Sequence, residues 1–343
     1  MKAVVIESHG GPEVLRYTED APVPRPAANE VLVEVRACAL NHLDVWTRGG
    51  LPNVKTPLPL ILGNDIAGIV RETGALVDWV GAGDEVMLQP GVSCGRCYEC
   101  LRGRDNLCPQ YTILGYGRDG GYAEYVTVPG ANVIPKPKNL SWEEAAALPL
   151  TLLTAWHMLV GRANVQAGET VLVHAAGSGV GSIGIQIAKL RGARVIATAG
   201  SEEKRERARE LGADETVDYT QEEWPKEVRR LTGKRGVDVV FEHTGAATWP
   251  GSISALATNG RLVTCGATSG YDASTDIRQV FYRHLSVLGS FMGAKWELLD
   301  ALAFVESGQL RPVVDQILPL KNARRAHELM EDRAQFGKLV LVP

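Results

Sequence analysis

Four of the six cysteines, Cys94, Cys97, Cys100 and Cys108, follow one another in the spacing C-x2-C-x2-C-x7-C. Thiolates hold zinc as tetrahedral ligands at about 2.3 Å, and a short glycine-containing loop lets four of them wrap one ion. Two disulfides are the competing use, which a reducing cytosol disfavours. The set therefore reads as one structural Zn2+ per chain. Four thiolates fill the coordination shell and leave no open position, so this metal would hold a lobe, at about residues 91–110, without touching a substrate. The other two cysteines, Cys38 and Cys265, sit in the apolar runs 35–40 and 263–266 and read as small core residues.

A second chemical signature is the turn Ala175-Ala176-Gly177-Ser178-Gly179-Val180-Gly181-Ser182. It follows the apolar run Thr170–His174 and precedes a helical pattern over Ile183–Arg191. Small residues let the backbone approach a pyrophosphate, and a helix N-terminus supplies N–H groups and partial positive charge. A dinucleotide is expected here, on Ala176, Gly177, Ser178, Gly179, Val180 and Gly181. The end of the next strand, Arg194–Thr198, bears on which one. An NADH site usually carries Asp or Glu there to bond the ribose 2′-OH. This chain reads Thr198-Ala199-Gly200-Ser201, with Lys204 and Arg205 just beyond Glu202 and Glu203. A 2′-phosphate would meet a hydroxyl and a cation, so NADPH is expected ahead of NADH. The bland reading makes Lys204 and Arg205 solvated helix residues paired with neighbouring Glu side chains.

The elements that must position these groups fall into two patterns. The first ~130 residues read as short strands broken by Gly and Pro: Glu30–Ala37 alternates with period two, and 69–72, 84–88 and 122–126 are further candidates. An antiparallel, barrel-like β domain is expected. Ser141 and Glu144 form a capping-box signal for a helix interrupted by Pro149 and resuming over 152–160. From Glu169 onward, strands at 170–174, 194–198, 237–241 and 261–265 alternate with helices, which is the pattern of a parallel, doubly wound sheet. Short mixed elements return in the last ~50 residues, including Lys338–Val342.

At 343 residues the chain is long enough for about two domains. Lys and Arg number 36 against 40 Asp and Glu, a net charge of −4. Nucleic-acid binders normally carry a basic excess, and no polybasic segment suggests a membrane surface. No apolar run approaches the ~18 residues of a spanning helix, and the opening Met1–Glu7 lacks a secretory pattern. A soluble, cytoplasmic α/β protein acting on a small molecule is expected, with no nucleic-acid or membrane partner.

Taken together, these features resemble the medium-chain dehydrogenase/reductase superfamily, which includes the zinc alcohol dehydrogenases and quinone oxidoreductases. The resemblance covers essentially the whole chain. It includes Gly10-Gly11-Pro12-Glu13-Val14-Leu15, Asn41-His42-Leu43-Asp44, Gly63-Asn64-Asp65-Ile66-Ala67-Gly68, the four-cysteine lobe, Gly120–Tyr125, the nucleotide turn and Gly260–Val263. It implies a GroES-like β-barrel catalytic domain (1–151 and 293–343) and an inserted Rossmann domain (152–292). The nicotinamide is expected in the cleft between them. A homodimer, or a tetramer built from it, is implied as well, because relatives pair through the strand near Leu285–Phe291.

Zinc alcohol dehydrogenases carry a second, catalytic zinc. Matched motif by motif, its ligand positions are Asn41, Asn64 and, near the interdomain helix, Leu150, and the proton-relay position is Leu43. Amide and alkyl groups thus stand where zinc needs Cys, His or carboxylate. Asp65, His42 and Asp44 are the residues from which a weak metal site could be rebuilt. The pattern is closer to the quinone and enone reductases, which use NADPH without a catalytic metal, although many of them lack the four-cysteine lobe. In that branch Lys204 and Tyr219 match contacts to the 2′-phosphate.

The expected activity is hydride transfer from NADPH to a quinone or α,β-unsaturated carbonyl compound. Asn41 would donate to the substrate oxygen, and His42 would contact cofactor phosphate or supply a proton. Asp44 would orient one of them, Thr154 would pack against the nicotinamide, and Gly266, Ala267 and Thr268 would border it. Each has a structural rival: Asn41 bonded to backbone, His42 a satisfied histidine, Asp44 a helix cap. His243, His157, Tyr116 and Trp46 carry less weight, as loop, packed or wall residues. Two alternative functions stand beside this one. One is an alcohol or aldehyde dehydrogenase; the other is a non-enzymatic, ζ-crystallin-like nucleotide binder. The substrate itself is not legible in the sequence.

Overall fold

The alternating run that opens the catalytic motif becomes the long strand Glu30–Ala39. Its inward side chains Val31, Val33 and Val35 are buried, as period two requires of a strand with one face on a core. The computed structural model describes residues 1–52 and 54–343, and these form two units, Met1–Leu150 with Ala294–Pro343, and Thr151–Gly293.

In the first unit Glu30–Ala39 pairs antiparallel with Asp65–Thr73, Tyr125–Pro129 and Lys338–Val342. The sheet continues through Glu85–Leu88 to Val133–Pro135 on one side, and to Val314–Pro319 on the other. The last pairing, Val314–Pro319 with Lys338–Val342, is parallel. A second sheet joins Arg16–Thr18, Ala3–Ile6 and Leu60–Ile61. The register places Asp65 and Val340 both opposite Ala39. The start of Asp65–Thr73 and the middle of Lys338–Val342 therefore lie level with the end of the central strand, so that Lys338 reaches just past it.

The second unit is a six-stranded, wholly parallel sheet. Its order is Glu215–Asp218, Arg194–Ala199, Thr170–Val173, Val237–Glu242, Leu256–Thr264, Ser286–Gly289. Numbered within the unit this is 3-2-1-4-5-6, the order of the doubly wound dinucleotide-binding fold. Thr170–Val173 is buried throughout, as a strand covered on both faces must be.

Several boundaries differ from the sequence reading. Residues 122–124 are not part of a ladder strand, which begins at Tyr125. The buried Tyr122 instead bridges two segments, its N–H bonding the Leu62 carbonyl and its carbonyl accepting from Val4. Ser141 caps its helix as expected, accepting from the Glu144 N–H. Pro149 opens the following helix, Pro149–Trp156, rather than interrupting one, because the N–H that proline lacks would have no intrahelical acceptor at that position in any case. Residues 157–162 continue it as a π-helical turn. The nucleotide-turn helix starts four residues earlier than the apolar periodicity suggested, at Gly179. The fifth parallel strand starts at Leu256. Among the described residues no helix is long and apolar enough to cross a membrane.

Candidate active site

In the first unit, Asn41 lies two residues past the central strand and is the N-cap residue of the helix His42–Gly49. Asp44, in the first turn of that helix, accepts the Asn41 backbone N–H at Oδ2, 2.7 Å away, and the Gly63 N–H at Oδ1, 3.0 Å away. It therefore caps the helix, and it also ties the Asn41 segment to the Gly63-Asn64-Asp65 segment. Gly63 has φ +99, and a Cβ there would stand 2.6 Å from Cys38 Sγ, so only glycine fits. Burial pushes the Asp44 carboxyl up to about 7, against the lowering effect of the two N–H groups.

The Asn41 side chain lies in a closed triangle. Its Nδ2 donates to Asp65 Oδ2 at 2.9 Å, and its Oδ1 accepts from Lys338 Nζ at 2.6 Å. Lys338 also donates to Asp65 Oδ2 at 2.9 Å. The other Asp65 oxygen accepts the Leu150 N–H at 2.6 Å. Asn41 is 7% exposed, Lys338 3% and Asp65 0%. Lys338 is the member of this candidate site that the sequence alone did not point to. It lies almost three hundred positions away from Asn41, and only the antiparallel register brings the two together.

The second zinc of the alcohol dehydrogenases does not fit this donor set. Asn41 turns its oxygen to an ammonium group, Leu150 is apolar, and Asn64 spends its amide N–H on the Leu114 carbonyl at 2.6 Å. Both carboxylates offered for a rebuilt site, Asp44 and Asp65, have each oxygen engaged by an N–H donor. His42 is half-buried, with its ring 6.1 Å from that of Trp46. Among the described residues, the one group of three or more His, Cys, Asp or Glu placed to share an ion is the cysteine set.

That set fits structural zinc well. Bonds of about 2.3 Å imply sulfur–sulfur edges of about 3.8 Å in a tetrahedron. Cys97 and Cys100 stand 3.5 Å apart, Cys94 and Cys100 4.0 Å, and all four sulfurs lie within 4.8 Å of one another. The backbone N–H groups of Cys94 and Gln110 point at Cys108 Sγ, the usual outer support for a zinc thiolate. Backbone donors lower the Cys94 thiol to about 6, in the direction of the thiolate a metal requires. Cys38 is buried in the central strand; Cys265 is only half-buried, just past its strand, and burial raises its thiol to about 12.

In the second unit the glycine turn leads from the first strand into the helix Gly179–Leu190. Ser178 caps it, its Oγ accepting the Gly181 N–H at 2.8 Å. The first helical N–H groups, those of Gly179 and Val180, have no intrahelical acceptor and suit a phosphate. A Cβ on Gly181 would lie 2.3 Å from the Ala175 carbonyl oxygen, so the helix packs on the strand more closely than any other residue allows. At the end of the second strand, Ala199 leads through Gly200 to Ser201, which caps the next helix by accepting from the Lys204 N–H. The Tyr219 hydroxyl packs over Gly200. The acids nearby are engaged by cations, Glu202 by Arg205 and Arg209, and Asp218 by Arg205 at 3.1 Å. Thr154 is 5% exposed and its Oγ1 has no partner, an unmet hydrogen-bonding need of the sort a cofactor group would fill. The Gly266-Ala267-Thr268 loop is held to the loop after Val237–Glu242, with Thr268 Oγ1 donating to the His243 carbonyl at 3.3 Å. His243 in turn bonds the His174 carbonyl, as expected of a loop histidine.

The sequence reading also missed a buried network beneath the nucleotide turn. Glu242 accepts from the N–H groups of Thr244 and Gly245 and from the hydroxyls of Thr248 and Ser252. Burial alone would raise its carboxyl, and these hydrogen-bond donors act against that, helping to hold it below the ordinary range. Because Ser252 donates to Glu242, it must accept from His174 Nε2 at 2.9 Å. His174 Nδ1 then accepts from Thr198 at 3.1 Å, and Thr198 Oγ1 accepts the Ala175 N–H. The neutral Nε2–H tautomer thus locks the ends of three parallel strands together. Burial lowers the His174 pKa and keeps the ring in this neutral form.

Residues 27–138 match the alcohol dehydrogenase GroES-like domain, and residues 179–307 match the zinc-binding dehydrogenase family. The chain is a medium-chain dehydrogenase/reductase. Within this superfamily it is 34% identical to an NAD-dependent alcohol dehydrogenase of Sulfolobus acidocaldarius, over 99% of each chain. It is 30% identical to a quinone oxidoreductase of Rattus norvegicus, over 100% of this chain and 98% of that one. A solved structure of an NAD-dependent alcohol dehydrogenase superimposes with a TM-score of 0.97 at 57% identity, over 100% of both chains. Membership in this superfamily of oxidoreductases accounts for the two-unit architecture, the parallel sheet order and the four-cysteine lobe together.

Proposed function

We propose that this medium-chain oxidoreductase reduces quinones or α,β-unsaturated carbonyl compounds with NADPH, and that no metal ion touches the reacting atoms. The observation that carries the reading is the Asn41–Asp65–Lys338 triangle, which puts an amide and an ammonium where a Lewis acid would need thiolate, imidazole or carboxylate ligands. Reducing a conjugated system spreads the developing charge onto an enolate or quinol oxygen, where hydrogen-bond donors suffice.

A bound dihydronicotinamide supplies the hydride. Asn41 gives one Nδ2–H to Asp65 and holds the second for the substrate oxygen. His42, half-buried on the first helical turn, delivers the proton or meets a cofactor phosphate. Thr154 offers its unpaired hydroxyl to the nicotinamide side, and Gly266, Ala267 and Thr268 border it. Ala176 through Gly181 hold the pyrophosphate, and Ser201, Lys204 and Tyr219 hold the 2′-phosphate. Support for NADPH comes from the absence of a carboxylate on Ala199, Gly200 and Ser201. The edge strand Ser286–Gly289 is read as the pairing strand of a homodimer, since Val287, Phe291, Phe281 and Tyr282 stand exposed around it.

Alcohol oxidation is the second reading, favoured by the name of the 57% identical structure. One experiment separates them. Oxidation of NADPH and NADH is followed with 1,4-benzoquinone, trans-2-hexenal and hexanal, and alcohol oxidation with 1-hexanol, with zinc measured on the same sample. The proposal expects quinone or enone turnover at one zinc per chain. It also expects Asn41→Ala to lower kcat/KM about tenfold or more through loss of an oxyanion donor. Lys204→Ala should raise KM for NADPH and leave KM for NADH unchanged. Dominant alcohol oxidation that needs a second metal equivalent would overturn it.

A further inference from the structure

We propose that Lys338 and Asp65 are positioning residues that set which way the Asn41 amide faces, leaving a single N–H of that amide for the substrate. The proposal rests on the role given to Asn41 above. An asparagine amide is almost the same shape with its oxygen and nitrogen exchanged, so packing alone does not choose between the two orientations. A cation on one side and an anion on the other do choose. Lys338 can only donate, and it meets Asn41 Oδ1 at 2.6 Å. The ionised Asp65 can only accept, and it meets Asn41 Nδ2 at 2.9 Å. Rotating the amide by half a turn would set donor against donor and acceptor against acceptor, at two bonds of the strong, charge-assisted class.

The triangle is itself fixed. The 2.9 Å bond between Lys338 and Asp65 closes it, and the Leu150 N–H holds the second Asp65 oxygen so that the carboxylate does not swing. The Asn41 backbone is pinned separately by Asp44. With carbonyl oxygen and one N–H spent, the amide retains one donor, whose direction follows from the other two. Lys338 and Asp65 therefore act on the substrate through Asn41.

The test compares Lys338→Met, Lys338→Arg and the charge-neutral double variant Asp65→Asn/Lys338→Met in the full chain, with NADPH and 1,4-benzoquinone as probes. The double variant leaves no unpaired buried charge, which protects it against simple misfolding. Lys338→Met and the double variant should lower kcat by about tenfold or more, with the KM for NADPH within about twofold of the parent. Lys338→Arg should restore most of kcat. The side-chain amide resonances of Asn41, identified by their loss in Asn41→Ala, report orientation without turnover. The parent should show one set with one proton shifted downfield by Asp65, and the double variant two sets or exchange broadening. A double variant with parental kcat and unchanged Asn41 resonances would overturn the proposal. If Asn41→Ala left kcat/KM unchanged, the functional reading of Asn41 would fall, while the resonances would still decide whether Lys338 and Asp65 orient the amide.

Discussion

Lys338 Nζ lies 2.9 Å from Asp65 Oδ2, and the two side chains are 4% and 0% exposed. Removing one member of such a pair strands a charge away from water, which typically costs 3–5 kcal/mol, whereas removing both charges costs far less. Lys338→Met should therefore lose about 3–5 kcal/mol in urea denaturation, and Asp65→Asn/Lys338→Met should recover most of it. Equal losses in the two variants would mean that the pair contributes packing and not charge balance.

Asp44 gives the stability of the chain a specific pH dependence. Its carboxyl stands at about 7 when folded, against 3.8 for the ordinary group, because burial disfavours its charge. Between these values the folded chain binds the extra proton, so this contribution is complete below pH ~4 and is lost as pH rises through ~7. The shift corresponds to about 4 kcal/mol. His327 works in the opposite sense: burial and then Arg48 depress it to about 3, so its contribution is present above 6.5 and lost as pH falls. The difference between parent and Asp44→Asn unfolding curves from pH 4 to 8 isolates the Asp44 part. The parent should lose more stability than the variant as pH rises, and parallel curves would refute the assignment.

Four thiolates closing one tetrahedron predict one tightly held zinc per chain. Titration with a mercurial should release one equivalent, read with a zinc-sensitive dye. Cys108→Ser should abolish that equivalent and lower Tm, since ligand and fold are coupled in such lobes. Two equivalents released from the parent would contradict the single site.

Gly181 is where the nucleotide helix touches the strand below it. Gly181→Ala would press a methyl to 2.3 Å from the Ala175 carbonyl oxygen and 2.8 Å from Ser178 Oγ. The helix must move outward, at a cost of about 1–3 kcal/mol. Its N-terminus moves with it, so dinucleotide affinity should fall in fluorescence titrations while zinc content stays at one. Unchanged affinity would remove this helix terminus from the cofactor site.

The edge strand Ser286–Gly289 carries a further consequence. An exposed apolar edge is a pairing surface or a liability. Val287→Asp should shift sedimentation from dimer to monomer. A parent that sediments as a monomer would refute the pairing.

Much of this molecule was legible along the chain because its signals are local. The cysteine spacing specifies a zinc lobe through residues that are neighbours in sequence. The glycine turn specifies a helix N-terminus, since Gly181 is demanded by a contact with Ala175 only a few residues away. Alternation of strand and helix from Glu169 sets a parallel sheet because each strand returns through the helix that follows it. The amide and alkyl residues at Asn41, Asn64 and Leu150, on which the metal-free proposal draws, are likewise read directly from the sequence. The strand assigned to 122–126 misled because Tyr122 is buried by pairing with two separate segments, a reason that period two does not encode.

The partners of those residues were decided by tertiary structure alone. Nothing within the neighbourhood of Asn41 distinguishes an amide bonded to backbone from one clamped between a cation and an anion. The clamp exists because antiparallel register brings the first residue of the strand Lys338–Val342 beside the end of Glu30–Ala39. Likewise, Glu242 reaches His174 only because parallel strands end at a common level. Hydrogen bonds and ion pairs act over a few ångströms of space whatever the separation in sequence. Residue types and local spacing therefore fix the elements and the family, while the register of distant strands fixes which polar groups face one another.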